Sequence, residues 1–311
     1  MKVYLTETDG ARWRMPPPLR WEIERTDGSP CDAAQFVFCD DAAHREPLTQ
    51  AAELTATEDG TVVFRGVVDE VLMTMDGAGC LVTVCCRGLA AKMMMRQLRA
   101  AEYVSLSAPE AAAQFAEPCG IRQIELGELP PVERMTVATG MTCWEAFCGF
   151  CRKSASVSPR FTADGTLTVG GNSGSVWALT DSTPILSLRY CAAGCREIGR
   201  QEMVSAGGVV VDAAEGRGQT RLVTVQTQSS AAGAEWKTAQ QRVDEAERSA
   251  LTLQVTLAGT MKCEPSDRLA AVMPKLGISR AMIIRSVVHR GNENGKTVTV
   301  TAEGARENVA V

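Results

Sequence analysis

The chain is poor in histidine, with two among 311 residues, His44 and His289. That removes the usual general base from most hydrolytic sites and leaves no His-rich metal cluster. Aromatic residues make up 5%, too few for a surface built to stack sugars or bases. Lys and Arg number 32 against 37 Asp and Glu, so no excess of positive charge is available to hold a polyanion. No apolar run reaches the roughly 18 residues that a membrane-crossing helix needs. The first residues, MKVYLTETDG, turn acidic at once, without the apolar core of a secretory leader. Catalytic fingerprints are missing as well: there is no G-x-S-x-G, H-E-x-x-H, P-loop or Rossmann glycine pattern. The glycines at 170–174 and 215–219 lack the strand-then-helix setting that phosphate binding requires. The expectation is therefore no catalytic residues, no cofactor and no metal.

Cysteine is present, at twelve positions. In a chain this long the number does not suggest a disulfide framework, and several lie inside strand or helix patterns. They read as buried thiols in a reducing cytosol. A zinc site from Cys143, Cys148, Cys151, Cys191 and Cys195 is the sharper alternative, weakened by the lack of a second C-x-x-C.

Hydrophobic periodicity marks most of the chain as β. Trp21, Ile23 and Arg25 alternate with Glu22 and Glu24, and QFVFC at 35–39 is a second short run. A long hairpin follows, TVVFRGVVDEVLMTM and CLVTVCCRG around a Gly-rich turn. The period then changes. Residues 89–104 predict a helix with Met93–Met95 facing a core and Lys92, Arg96 and Arg99 facing solvent, or a partner. Ser107 or Ala108 stands near the N-cap of one further helix, ending near Gly120, and Thr142 caps another over 143–154. A compact hairpin with a DG turn occupies 159–171. Candidate strands are 184–190, 202–212 and 220–227, with a helix near 235–251 and a closing hairpin at 282–302.

The two long hairpins echo each other. FRGVVDEV resembles IRSVVHRG at an offset of 220, and VTVCCRG resembles VTVTAEG at an offset of 216. The four-residue difference is expected in the turn, where length changes cost little.

The order of these pieces resembles the bacteriophage tail baseplate hub proteins of prophage, Mu-like and contractile-bacteriocin tails (XkdQ-like or late-control-D-like). VVFRGVVDEV, VTVCCRGLAAKMMMRQL, SLSAPEAAAQFAEPCGI, MTCWEAFCGFCRKSASVSPRFTADGTLTV and MIIRSVVHRGNENGKTVTVTAEG carry the resemblance. A PGD turn common in that family has only CEPSDRLAAVMPKLGI at 263–278 in its place, which leaves the strand order around 251–280 open.

The resemblance implies a mainly β fold with an α+β insert: two tube-like β-barrel domains related by internal duplication and separated by a small helix-rich module. The implied boundaries are 1–88, 89–172 and 173–311. It also implies a structural role as a homotrimer whose six β domains form a pseudo-sixfold ring, joining a hexameric tail tube to a trimeric spike. Tail tube protein and spike or tail-tip protein would be its partners, with tape-measure and baseplate wedge proteins nearby. Neither membrane insertion nor specific nucleic-acid binding is implied. The place would be a phage tail baseplate or tail-like particle, assembled in the host cytoplasm. On this reading the ring-forming residues are Phe64, Arg65, Val67, Val68, Val82 and Val84 of the first hairpin, and Ile284, Arg285, Val287, Val288, Val298 and Val300 of the second. A tail-tip peptidoglycan hydrolase and a cell-surface binding module are the alternatives.

Overall fold

A computed structural model describes residues 1–77, 79–170, 175–218, 221–226 and 238–304. The protein is mostly β and divides into two units: Met1–Gly171 with Val288–Lys296, and Asn172–Val287 with Thr297–Val311.

The first unit opens with β1 (Lys2–Glu7), β2 (Arg12–Arg14), β3 (Arg20–Thr26), β4 (Ala33–Cys39), the short helix α1 (Arg45–Gln50), β5 (Ala51–Glu58), β6 (Thr61–Asp76) and β7 (Gly79–Gly88). They hydrogen-bond in the order β3-β4-β7-β6-β5-β1-β2. Alternation decides the faces. Along β7 every second side chain from Val82 onward is buried, as a sheet with one core face requires. Phe36, Phe38, Leu54, Phe64, Val82 and Val84 meet in that core. The expected barrel is not closed: among the described residues this path does not return from β2 to β3.

A second core lies in the same unit, built from α2 (Ala90–Met94), β8 (Ala101–Leu106), α3 (Ala108–Ala111), β9 (Ile124–Glu125), β10 (Val132–Val137), α4 (Cys143–Ala155), β11 (Pro159–Phe161) and β12 (Leu167–Val169). The helix expected over 89–104 ends at Met94. Beyond it the backbone is captured by a neighbouring strand-like segment: Leu98 N–H bonds to Met141 O at 2.8 Å and Cys143 N–H to Arg96 O at 2.9 Å. Met93 is buried but Met95 is exposed, and Arg96 bonds to the Pro118 carbonyl at 2.8 Å. The capping expectations hold. Ser107 with Glu110, and Thr142 with Glu145, form reciprocal capping boxes. The helical stretch that follows Ser107 stops at Gly120, whose φ of 79° suits glycine.

The second unit holds β13 (Val176–Thr180), β14 (Ile185–Ala192), β15 (Arg200–Val204), β16 (Val210–Glu215), β17 (Leu222–Gln226), α5 (Ala239–Ser249), β18 (Leu251–Ala258), β19 (Arg268–Met273), β20 (Ile278–Asn292) and β21 (Gly295–Gly304). The single strand expected over 202–212 is two strands joined by a turn at Gly208, which carries a φ of 77°. The strands β16-β15-β17 make a small sheet of their own, covered by α5. The others follow the order β14-β18-β21-β20-β19-β13 around a third core that includes Leu253, Val255, Ile284, Val287, Val298 and Val300. The segment left open by the missing PGD turn is fixed by Asp267. Its buried carboxylate accepts from the Trp177 indole and the Glu264 N–H, both at 2.9 Å.

The glycine-rich stretches at 170–174 and 215–219, the start of the helix expected near 235–251 and the ends of the strand expected over 220–227 fall wholly or partly outside the described residues. Only Cys86, Cys143, Cys151 and Cys263 are fully buried thiols, while Cys39 and Cys195 are exposed. Among the described residues no three potential metal ligands gather.

The second core gives a direct test of packing. Phe147 is fully buried, its ring centroid 6.3 Å from that of Phe150. Phe147→Ala should cost about 3–5 kcal/mol, measured by denaturant unfolding. A loss below about 1 kcal/mol would show that this core is not packed as described.

Candidate assembly surface

The residues expected to form a ring do two different things. Phe64, Val82, Val84, Ile284, Val287, Val298 and Val300 are buried, and their side chains belong to the protein's own cores. The alternation that made these strands recognisable points them inward, away from any partner. Arg65, Val67, Val68, Arg285 and Val288 are half-buried. Arg65 pairs with Glu53 at 3.3 Å, and the same carboxylate takes Lys92 of α2. Burial pushes the Glu53 carboxyl up, yet the two cations outweigh it and hold the group below its ordinary range. Arg285 bonds to Glu303 across the second hairpin at 2.7 Å.

The surface that remains open lies further out. β5 covers β6 only from Thr61 to Val67. After that the ladder with β7 shifts register between Val68 and Glu70, and a bulge of this kind re-aims the strand. The bulged residue, Asp69, is held by Arg87 through two bonds of 2.5 and 2.8 Å. Beyond it, among the described residues, β6 has β7 as its neighbour on one edge and no strand on the other. Leu72, Met73 and Met75 stand there 48%, 47% and 82% exposed. Sequence alternation missed them because they are apolar on both faces of one strand. That departure from period two was the available signal.

The second hairpin has the opposite fate. Its tip, Val288–Lys296, belongs to the first unit. There Arg290 pairs with Glu22 of β3 at 2.6 Å and Lys296 with Glu58. Gly291 sits against Trp21 so closely that a Cβ would lie 2.3 Å from the indole nitrogen. Only glycine fits this contact.

The two turns are equally long, 76–79 and 292–295. The four-residue difference in the echo is therefore not in the turn but along the strands. Counted back from the turn, Leu72, Met73 and Met75 stand where Val288, His289 and Gly291 stand.

His289 is half-buried in the first unit. Burial, helped by the nearby Arg25 cation and opposed by Glu58, pushes its imidazole down to about 4. An unfolded chain takes up this proton near pH 6.5, and the folded one only near pH 4. Stability contributed by neutral His289 is thus intact above about pH 7 and is lost as pH falls from about 6.5 toward 4. His289→Gln should flatten that part of the curve. The difference in melting temperature between wild type and variant should shrink between pH 7.5 and 5, and a difference constant over this range would contradict the burial of the ring.

Solved structures with a similar fold include tail proteins. A tail protein from Neisseria meningitidis matches with a TM-score of 0.74 and 17% identity, over 97% of this chain and 96% of that one. The 43 kDa tail protein of prophage MuSo2 from Shewanella oneidensis matches with a TM-score of 0.77 and 14% identity, over 97% and 98%. An Escherichia coli component of the type VI secretion system, itself similar in structure to the T4 bacteriophage tail proteins gp27 and gp5, matches with a TM-score of 0.51 and 14% identity, over 94% and 74%. No family model and no curated protein matches the sequence. The fold is one that this chain shares with phage tail proteins.

Proposed function

We propose that this protein is a structural component of a phage or phage-like tail, a baseplate hub that acts as a homotrimeric ring between a tail tube and a spike. The observation that carries the proposal is the likeness of its two β halves. The order β3-β4-β7-β6-β5 has a counterpart in β14-β18-β21-β20-β19. Neighbouring strands are antiparallel in β3-β4-β7-β6-β5, as they are in β14-β18-β21 and β20-β19. The final strands β7 and β21 share one burial pattern from their third residue onward, Leu81–Gly88 and Thr297–Gly304. The rows Trp21–Phe36–Val84 and Leu188–Val255–Val300 run across both sheets in the same way. Two like domains per chain turn three copies into six roughly equivalent positions, which suits a junction between sixfold and threefold partners.

The three separate cores support modules at 1–88, 89–172 and 173–311, the middle one carrying most of the helices. Tube and spike proteins are the proposed partners, with tape-measure and wedge proteins beside them. The tail of a particle assembled in the bacterial cytoplasm is the proposed location. The work done is geometric, with no catalytic step.

Native mass spectrometry over a concentration series tests the ring. A species at three times 33.3 kDa is expected. A dimer or tetramer, or a monomer at every concentration, would contradict it.

A further inference from the structure

We infer that the bare tip of the first hairpin is a strand-pairing element for a second copy of this chain, and that it seats on the free edge of β14 with Met75 over Leu188 of that copy. This rests on the ring reading and names the contact that would build it.

The chain contains its own template for the contact. In the first unit the tip of the second hairpin lies beside β3, and β20 is the hydrogen-bonded neighbour of that strand. The counterpart of β3 is β14, because Trp21 and Leu188 open the two matching rows across the sheets. Yet β14 ends its sheet: among the described residues it pairs with β18 and has no strand on its other edge. The outer edge of the first hairpin tip, β6 past Asp69, likewise has no strand beside it among the described residues. One docked tip and edge are thus matched by one bare tip and one bare edge, in equivalent places. Bare edges of this kind invite another chain to add a strand.

The side chains fit the same scheme. The docked pair combines no side chain with a large one, Gly291 against Trp21. The bare pair combines Met75 with Leu188, a long flexible side chain over a medium one. Volume removed from the edge is returned by the tip, so the gap filled by the indole in one contact is filled by the thioether in the other. Apolar surface matches too. Leu186 and Tyr190 on β14 are 60% and 37% exposed, beside the exposed Leu72 and Met73 of the tip.

Sedimentation velocity of four proteins tests the contact: wild type, Met75→Glu, Leu188→Trp, and the double variant Met75→Gly with Leu188→Trp. Met75 is so exposed that Met75→Glu leaves the monomer's unfolding midpoint unchanged. Each single variant should weaken self-association by about tenfold or more. The double variant copies the Gly291–Trp21 pair and should recover to within about threefold of wild type. A trimer indifferent to Met75→Glu overturns this contact and leaves the ring standing. Failure of the double variant to recover overturns the pairing of Met75 with Leu188. A wild-type chain that is monomeric throughout overturns the ring and the contact together.

Discussion

A β-strand edge must be paired, and most of this structure follows from how its edges are met. Each backbone N–H and C=O that leaves water needs a partner. In the first unit β4, β7 and β5 are paired along both edges over most of their length, whereas β6 past Asp69 has no strand on its outer edge among the described residues. The long arms of β6 and β20 outrun their neighbours. One tip, 288–296, finds its partners in the first unit. The other, past the Asp69–Arg87 bulge, ends in solvent with three exposed apolar residues. A soluble monomer rarely keeps such an edge unless something covers it.

The contrast between the tips is chemical as well as topological. Where the tip is docked, the sequence has thinned it to Gly291 and made it polar with Arg290 and His289, whose imidazole stays neutral because burial disfavours its charge. Where it is bare, the same places hold Met75, Thr74 and Met73. A tip destined for solvent would carry charge instead. The proposed ring gives both tips one job and explains why their residues differ: the edges they meet differ, Trp21 on one and Leu188 on the other.

The hairpins were legible in the sequence because Val and Thr alternate over long stretches with turn residues between them. The helices at 107–120 and 143–155 were legible through their caps. The end of the helix after Leu89 was not, because good helix formers at 96–104 are overridden by tertiary hydrogen bonds, from Cys143 N–H to Arg96 O and from Leu98 N–H to Met141 O. Periodicity also misled about the surface. It singled out Phe64, Val84, Ile284 and Val300, which the cores consume. A residue that makes a strand recognisable does so by facing inward, and a contact surface is found where the pattern breaks, as at Leu72–Met75.

Amide hydrogen exchange, read on monomer and assembly side by side, tests the central claim most directly. Pairing of the two bare edges predicts that peptides covering 69–76 and 185–192 gain protection together on assembly, while those covering 288–296 are already protected in the monomer. Equal exchange of 69–76 and 185–192 in both states would contradict it.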